Sequence, residues 1–324
     1  MQNLGAVLLT VVAAGSIGCY GPNAQSGAPC DPTQNNCPPG QMCVVQGTGH
    51  VCSPTGGTGD DAPVTPDTFK FMDAPGDPNG DADGDGIKNG VDNCPTVANP
   101  GQENEDGDPF GDVCDPCPPF ASTTEPDGDG DGVGDACDPH PNTAGDHIYL
   151  FEGFDHGVPS STGWDPFGGV TAPADHLTIS SAASYANLGY TMPSTGRETI
   201  WTKVTVTTAS AADANAGILD EKGASTEEAI GCDLATVNGS ASVAVVHAAA
   251  AATSPTIDQS TAFAWITNTG YLLKLVRDGT QYTCSSGGST ALHTETLVGT
   301  TPEIALWVWS ASAKFDYLFV VTSP

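Results

Sequence analysis

Three stretches of the chain recur at a fixed step of 23 residues, and each opens with side-chain oxygens on alternate positions: Asp81, Asp83, Asp85; Asn104, Asp106, Asp108; and Asp127, Asp129, Asp131. Like charges resist being folded together, so this pattern restricts the possible folds severely. Two carboxylates about 4 Å apart repel by roughly 4 kcal/mol at an effective dielectric near 20. A loop that turns them inward needs a cation to close. Calcium accepts six to eight oxygen ligands in loose geometry, backbone carbonyls included, and is the cofactor this spacing implies.

In a twelve-position frame, the first unit places Asp81, Asp83 and Asp85 at positions one, three and five, with Gly86 at six for a sharp turn. Ile87 then offers its carbonyl at seven, Asn89 stands at nine and Asp92 at twelve. The order matches the EF-hand loop, except that Asp replaces the bidentate Glu. The third unit repeats it with Asp127, Asp129, Asp131, Gly132, Val133, Asp135 and Asp138. The middle unit carries Asn104, Asp106, Asp108, Phe110, Asp112 and Asp115, but Pro109 stands where glycine is expected. Proline cannot adopt a positive φ, so the middle site is expected to be the weakest or most distorted.

No helix-forming sequence flanks these loops. Instead, Asp92-Asn93-Cys94-Pro95, Asn99 to Gln102, Gly111-Asp112-Val113-Cys114-Asp115 and Gly134-Asp135-Ala136-Cys137-Asp138 resemble thrombospondin type 3 repeats over residues 77–142. The resemblance implies a chain wound around a string of calcium ions, with consecutive cysteines paired as Cys94–Cys114 and Cys117–Cys137. Each such bond closes a loop of about twenty residues, worth roughly 3 kcal/mol in the chain-entropy model. On this reading, metal and disulfides take the place of a hydrophobic core in an irregular stalk.

The chain has 324 residues, 8 basic residues and a formal net charge of -31, which disfavours nucleic acid and anionic lipid headgroups as partners. Residues 4–14 are apolar and lead through Gly15-Ser16-Ile17-Gly18 to Cys19, as in a bacterial lipoprotein signal peptide. Residues 1–18 are read as that leader, Cys19 as the lipidated residue tethered to the membrane through 19–29, and the cell surface or outer membrane as the destination, with secretion to the extracellular space as the alternative. Eleven cysteines less Cys19 leave an even ten, consistent with pairing in an oxidising compartment. CxxC occurs once and the histidines do not cluster beside the cysteines, so cysteine-bound zinc is not expected. Cys30, Cys37, Cys43 and Cys52 form a small disulfide knot over 30–52 in which three pairings remain open. Residues 53–76, rich in Gly, Pro, Thr and Asp, read as a linker.

Residues 146–324 alternate strand-like runs with turn signals, giving a mainly β chain whose C-terminal part is an antiparallel sandwich. Ile200, Val204 and Val206 alternate with polar residues, Asp278-Gly279 marks a hairpin, and Ile304–Trp309 with Phe315–Val321 form a closing pair. Cys232 and Cys284 are expected to pair across the sandwich. Phe151-Glu152-Gly153-Phe154-Asp155, Val158-Pro159, Trp164 and Lys314-Phe315-Asp316-Tyr317 resemble the first and last strands of a concanavalin A-like jelly roll, the architecture of laminin G-like and glucanase-like domains.

No catalytic site is expected. Glycosidases on that fold carry carboxylates as Glu-x-Asp-x-Glu, whereas Asp220-Glu221 and Glu227-Glu228 are adjacent pairs read here as loops. No Gly-x-Ser-x-Gly or His-Glu-x-x-His occurs. Trp201, Trp265, Trp307 and Trp309 are read as core rather than sugar platforms, and His140, His147 and His156 as structural or solvent-facing. The sequence therefore suggests a calcium-binding surface lipoprotein in which a calcium-stiffened stalk presents a sandwich to a glycan or surface protein. The alternatives are a glycan-active enzyme and a purely structural envelope protein.

Overall fold

The computed structural model describes residues 41–46, 49–54, 76–182, 184–192, 196–210, 213–222, 228–249, 255–295 and 302–324. The expected leader, Cys19, Cys30, Cys37 and most of the 53–76 linker lie outside the described residues. Two compact units divide the chain, residues 1–69 and 70–324. In the first, β1 (Gln41–Gln46) and β2 (Gly49–Pro54) form an antiparallel hairpin whose register sets Cys43 opposite Cys52. Among the described residues no helix is long and apolar enough to cross a membrane.

The second unit contains the sandwich. Its strands are β3 (His147–Glu152), β4 (Trp164–Phe167), β5 (Gly169–Ala174), β6 (His176–Ser180), β7 (Tyr185–Thr191), β8 (Arg197–Ala209), β9 (Asn215–Lys222) and β10 (Glu228–Val237). Beyond them come β11 (Ser240–Ala249), β12 (Thr256–Ala262), β13 (Gly270–Asp278), β14 (Gln281–Ser286), β15 (Ser289–Thr294), β16 (Pro302–Trp309), β17 (Ala311–Phe315) and β18 (Leu318–Thr322). A seven-stranded sheet runs β12-β11-β10-β9-β16-β7-β4. The other runs β15-β14-β13-β8-β17-β6-β5, with β18 paired to both β8 and β3. All pairings are antiparallel, as expected for this fold class.

Alternation decides which face each strand buries. Ile200, Val204 and Val206 of β8 meet Ile218, Ile230, Leu234, Ile304 and Leu306 of the opposite sheet in one buried cluster. The Asp278-Gly279 signal gives the β13–β14 hairpin, with Asp278 opposite Gln281 and Gly279 at φ 61°. Cys232 of β10 and Cys284 of β14 are joined across the two sheets, both fully buried. One expectation changes. Phe315–Val321 breaks at Asp316-Tyr317 into β17 and β18, which lie in the nine-stranded sheet while β16 lies in the other. The expected closing pair is thus a crossover between sheets, turned at Ser310 with φ 49°.

The outward face of the nine-stranded sheet is covered too. Trp201 of β8 and Phe319 and Val321 of β18 alternate away from the core, yet they are buried together with Cys117, Val133, Cys137 and Tyr317. Phe120 meets the Trp201 ring edge-on at 6.1 Å, and Phe151 packs against Phe319 at 6.0 Å. The second and third repeats therefore do not stand off as a coreless stalk: they lie on the sandwich, with the Cys117–Cys137 disulfide inside the seam.

Removing the ring at this seam tests its weight. Trp201→Ala is expected to lower unfolding free energy by about 3–5 kcal/mol in a denaturant titration, and to expose residues 116–140 to proteolysis while β9–β11 stay protected.

Candidate metal centre

Each repeat is a loop tied by its own carboxylates. At position one, Asp81 Oδ1 accepts the Gly84 N–H at 2.7 Å and its Oδ2 the Gly86 N–H at 3.2 Å. Asp127 does the same with Gly130 and Gly132, at 2.7 and 3.0 Å. Gly86 and Gly132 have φ of 102° and 97°, a region closed to proline. In the middle unit Pro109 has no N–H to give, and position one is Asn104 rather than Asp. Asn104 Oδ1 still accepts the Gly107 N–H at 2.7 Å, and its Nδ2 donates to the Asp108 carbonyl at 2.7 Å. The two departures answer each other, and the middle loop closes in its own way.

Position five staples each unit to the segment after it. Asp85 Oδ2 accepts the Asn99 N–H at 2.9 Å, Asp108 Oδ2 the Ser122 N–H at 2.9 Å, and Asp131 Oδ2 the Gly145 and Asp146 N–H groups at 2.8 and 2.7 Å. The other oxygen of each accepts the N–H of position seven, held by Ile87, Phe110 and Val133. Position nine is a clasp: Asn89, Asp112 and Asp135 accept the N–H of position two, and the Asn89 amide also donates to the Asp77 carbonyl at 2.8 Å. Position twelve caps the next step, with Asp92, Asp115 and Asp138 accepting the N–H groups of Cys94, Cys117 and His140.

Position three behaves differently. Asp83 Oδ2, Asp106 Oδ2 and both Asp129 carboxylate oxygens are buried without a hydrogen-bond partner. A buried anionic oxygen without a partner is costly, and the same defect recurs in all three frames. Around these atoms the carboxylates of Asp81, Asp83 and Asp85 gather, as do those of Asp106, Asp108 and Asp115, and of Asp127, Asp129 and Asp131. In each group the ligand atoms lie within 4.8 Å of one another. An oxygen-seeking dication fits the unsatisfied atoms and the hard donor set. Asp92 stands outside these groups, yet its Oδ2 is also buried and unpartnered.

Two residues escaped the sequence reading. Asp146, fully buried just before β3, joins Asp131 and Asp138 in a further group and receives the His140 ring at 3.0 Å. It lies outside the 23-residue frame, so periodicity gives no sign of it. Glu125 has a buried, unpartnered Oε1 and lies one step on from Gln102, whose amide donates to Asp92. That step was the available signal.

Burial without a cation raises several of these carboxyls. Asp115 is pushed up to about 7, by burial first and then by the charges of Glu125 and Asp108. Asp112 rises to about 6, mainly through burial and the charge of Asp155. Asp138 is raised while its partner Asp146 is lowered, the one favouring the proton and the other the charge.

This chemistry sets two expected outcomes. Asp83→Asn or Asp129→Asn is expected to weaken calcium binding by at least about tenfold, because such sites depend on ligand charge, as read by calorimetry. The metal-free fold keeps protons on Asp115 and Asp112 that the unfolded chain, with carboxyls near 3.8, has already lost. Its stability is therefore expected to fall as pH rises from about 4 to 7. Calcium should remove that loss and release protons near pH 6, seen as buffer-dependent binding heats.

Comparison with known proteins bears on these loops and on the sandwich. The thrombospondin type 3 repeat model matches residues 73–102 and 126–141, the first and third frames, and leaves the middle frame between them unmatched. No curated protein matches the chain. Similar solved structures include the carbohydrate binding module CBM66 from Bacillus subtilis, with 14% identity, 48% of this chain and 94% of that one covered, and a TM-score of 0.40. Another is a GH43 protein from Bacillus licheniformis, with 12% identity, coverages of 53% and 39%, and a TM-score of 0.41. A prokaryotic β-1,3-1,4-glucanase from a mouse hindgut metagenome has 10% identity, coverages of 54% and 99%, and a TM-score of 0.41. The chain thus matches the thrombospondin type 3 repeat in its first and third frames and continues into an antiparallel β-sandwich.

Proposed function

We propose that this is an exported calcium-binding protein whose loaded repeats brace a glycan-binding sandwich. The recurring unpartnered oxygen at position three is the observation that supports calcium, since it appears in every frame whatever else varies. Export and anchoring through Cys19 rest on the apolar run at 4–14 and the even cysteine count that remains.

The glycan reading rests on the outward face of the seven-stranded sheet. The register aligns Asp233, Gly217, Trp307, Asn187 and Phe167 in one row across β10, β9, β16, β7 and β4, and Trp309 with Tyr185 in the next. Trp307 is 2% exposed and spends its indole N–H on Asp233 Oδ1, so it serves the fold. Trp201 and Trp265 are buried too, as expected. Phe167 and Tyr185 are 52% and 45% exposed and stack at 4.9 Å and 17°. They form a small aromatic platform, with Trp309 the ladder partner of Tyr185 and packed against the Trp307 cluster, beside the buried and unpartnered Oδ1 atoms of Asn187 and Asn215. Flat apolar rings next to polar atoms in need of partners suit a sugar ring, which is apolar on its faces and polar at its rim.

One observation favours a second reading, a glycan-active hydrolase. The Glu303 carboxylate reaches over Gly189, whose register partner is Asp165, and burial together with the Asp165 charge raises its pKa. This pairing comes from β16 and β4, so no local sequence phrase announces it. Asp220 and Glu221, read as loop residues, lie within β9.

A glycan array with the calcium-loaded protein tests binding. Retention of a glycan set is expected, with Phe167→Ala or Tyr185→Ala weakening it by roughly tenfold, as a ring contact of about 1.4 kcal/mol would give. Retention unchanged in both variants would remove the platform from the site. Release of sugar that Glu303→Gln abolishes would move the protein to the hydrolase class.

A further inference from the structure

The edge where the two sheets meet holds a second constellation, unrelated to the repeats. β12 ends the seven-stranded sheet and β15 the nine-stranded one. The β11–β12 register slips between Val245 and Val246, whose partners are Gln259 and Ile257, so Asp258 is left as the extra residue of a bulge. Bulges re-aim a side chain out of the ladder. Here Asp258 is sent toward His293 of β15, whose Nε2 lies 3.8 Å from Asp258 Oδ2 and 3.6 Å from Glu295 Oε2. Both separations are too long for hydrogen bonds. They approach the roughly 3.4 Å edge between two ligands on one tetrahedral zinc with bonds of about 2.0–2.1 Å. His247 of β11 is near enough for its charge to act on the same Asp258 carboxyl. His247 Nε2, His293 Nε2 and Asp258 Oδ2 are all buried and lack a hydrogen-bond partner. One imidazole thus lies close to two carboxylates, with a second imidazole on the neighbouring β11 within electrostatic reach and three buried donor atoms unsatisfied.

We infer that His247, Asp258, His293 and Glu295 form a binding site for a zinc-class transition dication that fastens the edge strand of one sheet to that of the other. Imidazole nitrogen separates this site from the all-oxygen loops of the repeats, since nitrogen donors suit zinc, cobalt or nickel and carboxylate sets suit calcium. The donors stand wider than the 4.8 Å spread of the repeat clusters. Binding therefore draws Asp258, Glu295 and His247 in around His293.

The full chain, stripped with chelator and then saturated with calcium so that the repeats are filled, is titrated with zinc chloride by calorimetry. One tight zinc per chain is expected, with visible absorption of a four-coordinate site when cobalt chloride replaces it. The His247→Ala/His293→Ala double variant should lose at least about 100-fold in zinc affinity, in keeping with the removal of direct ligands, while its calcium titration is unchanged. In the wild-type chain, the X-ray absorption fine structure of the bound zinc should show imidazole nitrogens among its ligands. That spectrum decides the question even where the double variant does not fold. Zinc retained in full by the double variant, no zinc bound by the wild type, or bound zinc without imidazole ligands would each overturn the assignment.

Discussion

Buried carboxylate oxygens with nothing to satisfy them are the constraint on which the repeat region depends. Within each loop the backbone N–H groups are distributed with economy: positions one, five, nine and twelve each take at least one. Position three is left short: Asp83 and Asp106 each accept one N–H through Oδ1 while their Oδ2 atoms have none, and neither oxygen of Asp129 has a partner. The loops are thus shaped around positive charge before any ion is considered. The pushed-up carboxyls of Asp112 and Asp115 express the same fact, because a proton is the substitute when the metal is missing.

The second constraint is the seam. An antiparallel sheet commonly leaves one face to water, but Trp201, Phe319 and Val321 need a cover and the repeats need an apolar partner. Each supplies the other. Asp131 strengthens the join by accepting the N–H groups of Gly145 and Asp146 at the entry to β3, so the last frame is hydrogen-bonded directly to the start of the sandwich.

Much of this was legible in the sequence. The 23-residue step and the β13–β14 hairpin arise from local pattern, which periodicity reports well; the repeat disulfides follow from the family resemblance, and Cys232–Cys284 from being the two cysteines of the sandwich. What stayed hidden depends on distant partners. The docking of the repeats could have been read from Leu318-Phe319-Val320-Val321, an unbroken apolar run instead of an alternation, which marks a strand buried on both faces. The spacing gave Asn89 a ligand's place, and its bonds to the backbone of Ala82 and Asp77 are a further role that spacing does not reveal. Pro109 and Asn104 depart together, a coupling that taking each position singly does not register. The pairing of Glu303 with Asp165, and of His293 with Asp258, is set by sheet order and a bulge, which no short phrase encodes.

The position of β18 has a consequence for how the chain acquires its fold. Val133 and the Cys117–Cys137 bond sit beneath Phe319 and Val321, a contact spanning roughly 190 residues, and contacts of such separation form late. The repeats emerge first during synthesis but find their apolar cover only once β18 exists and has paired with β8 and β3. Until then the loops have only their own hydrogen bonds and disulfides, with whatever cation they hold. A compartment that is oxidising and rich in calcium would act here as a holding environment, keeping the early segment ordered until the late one arrives.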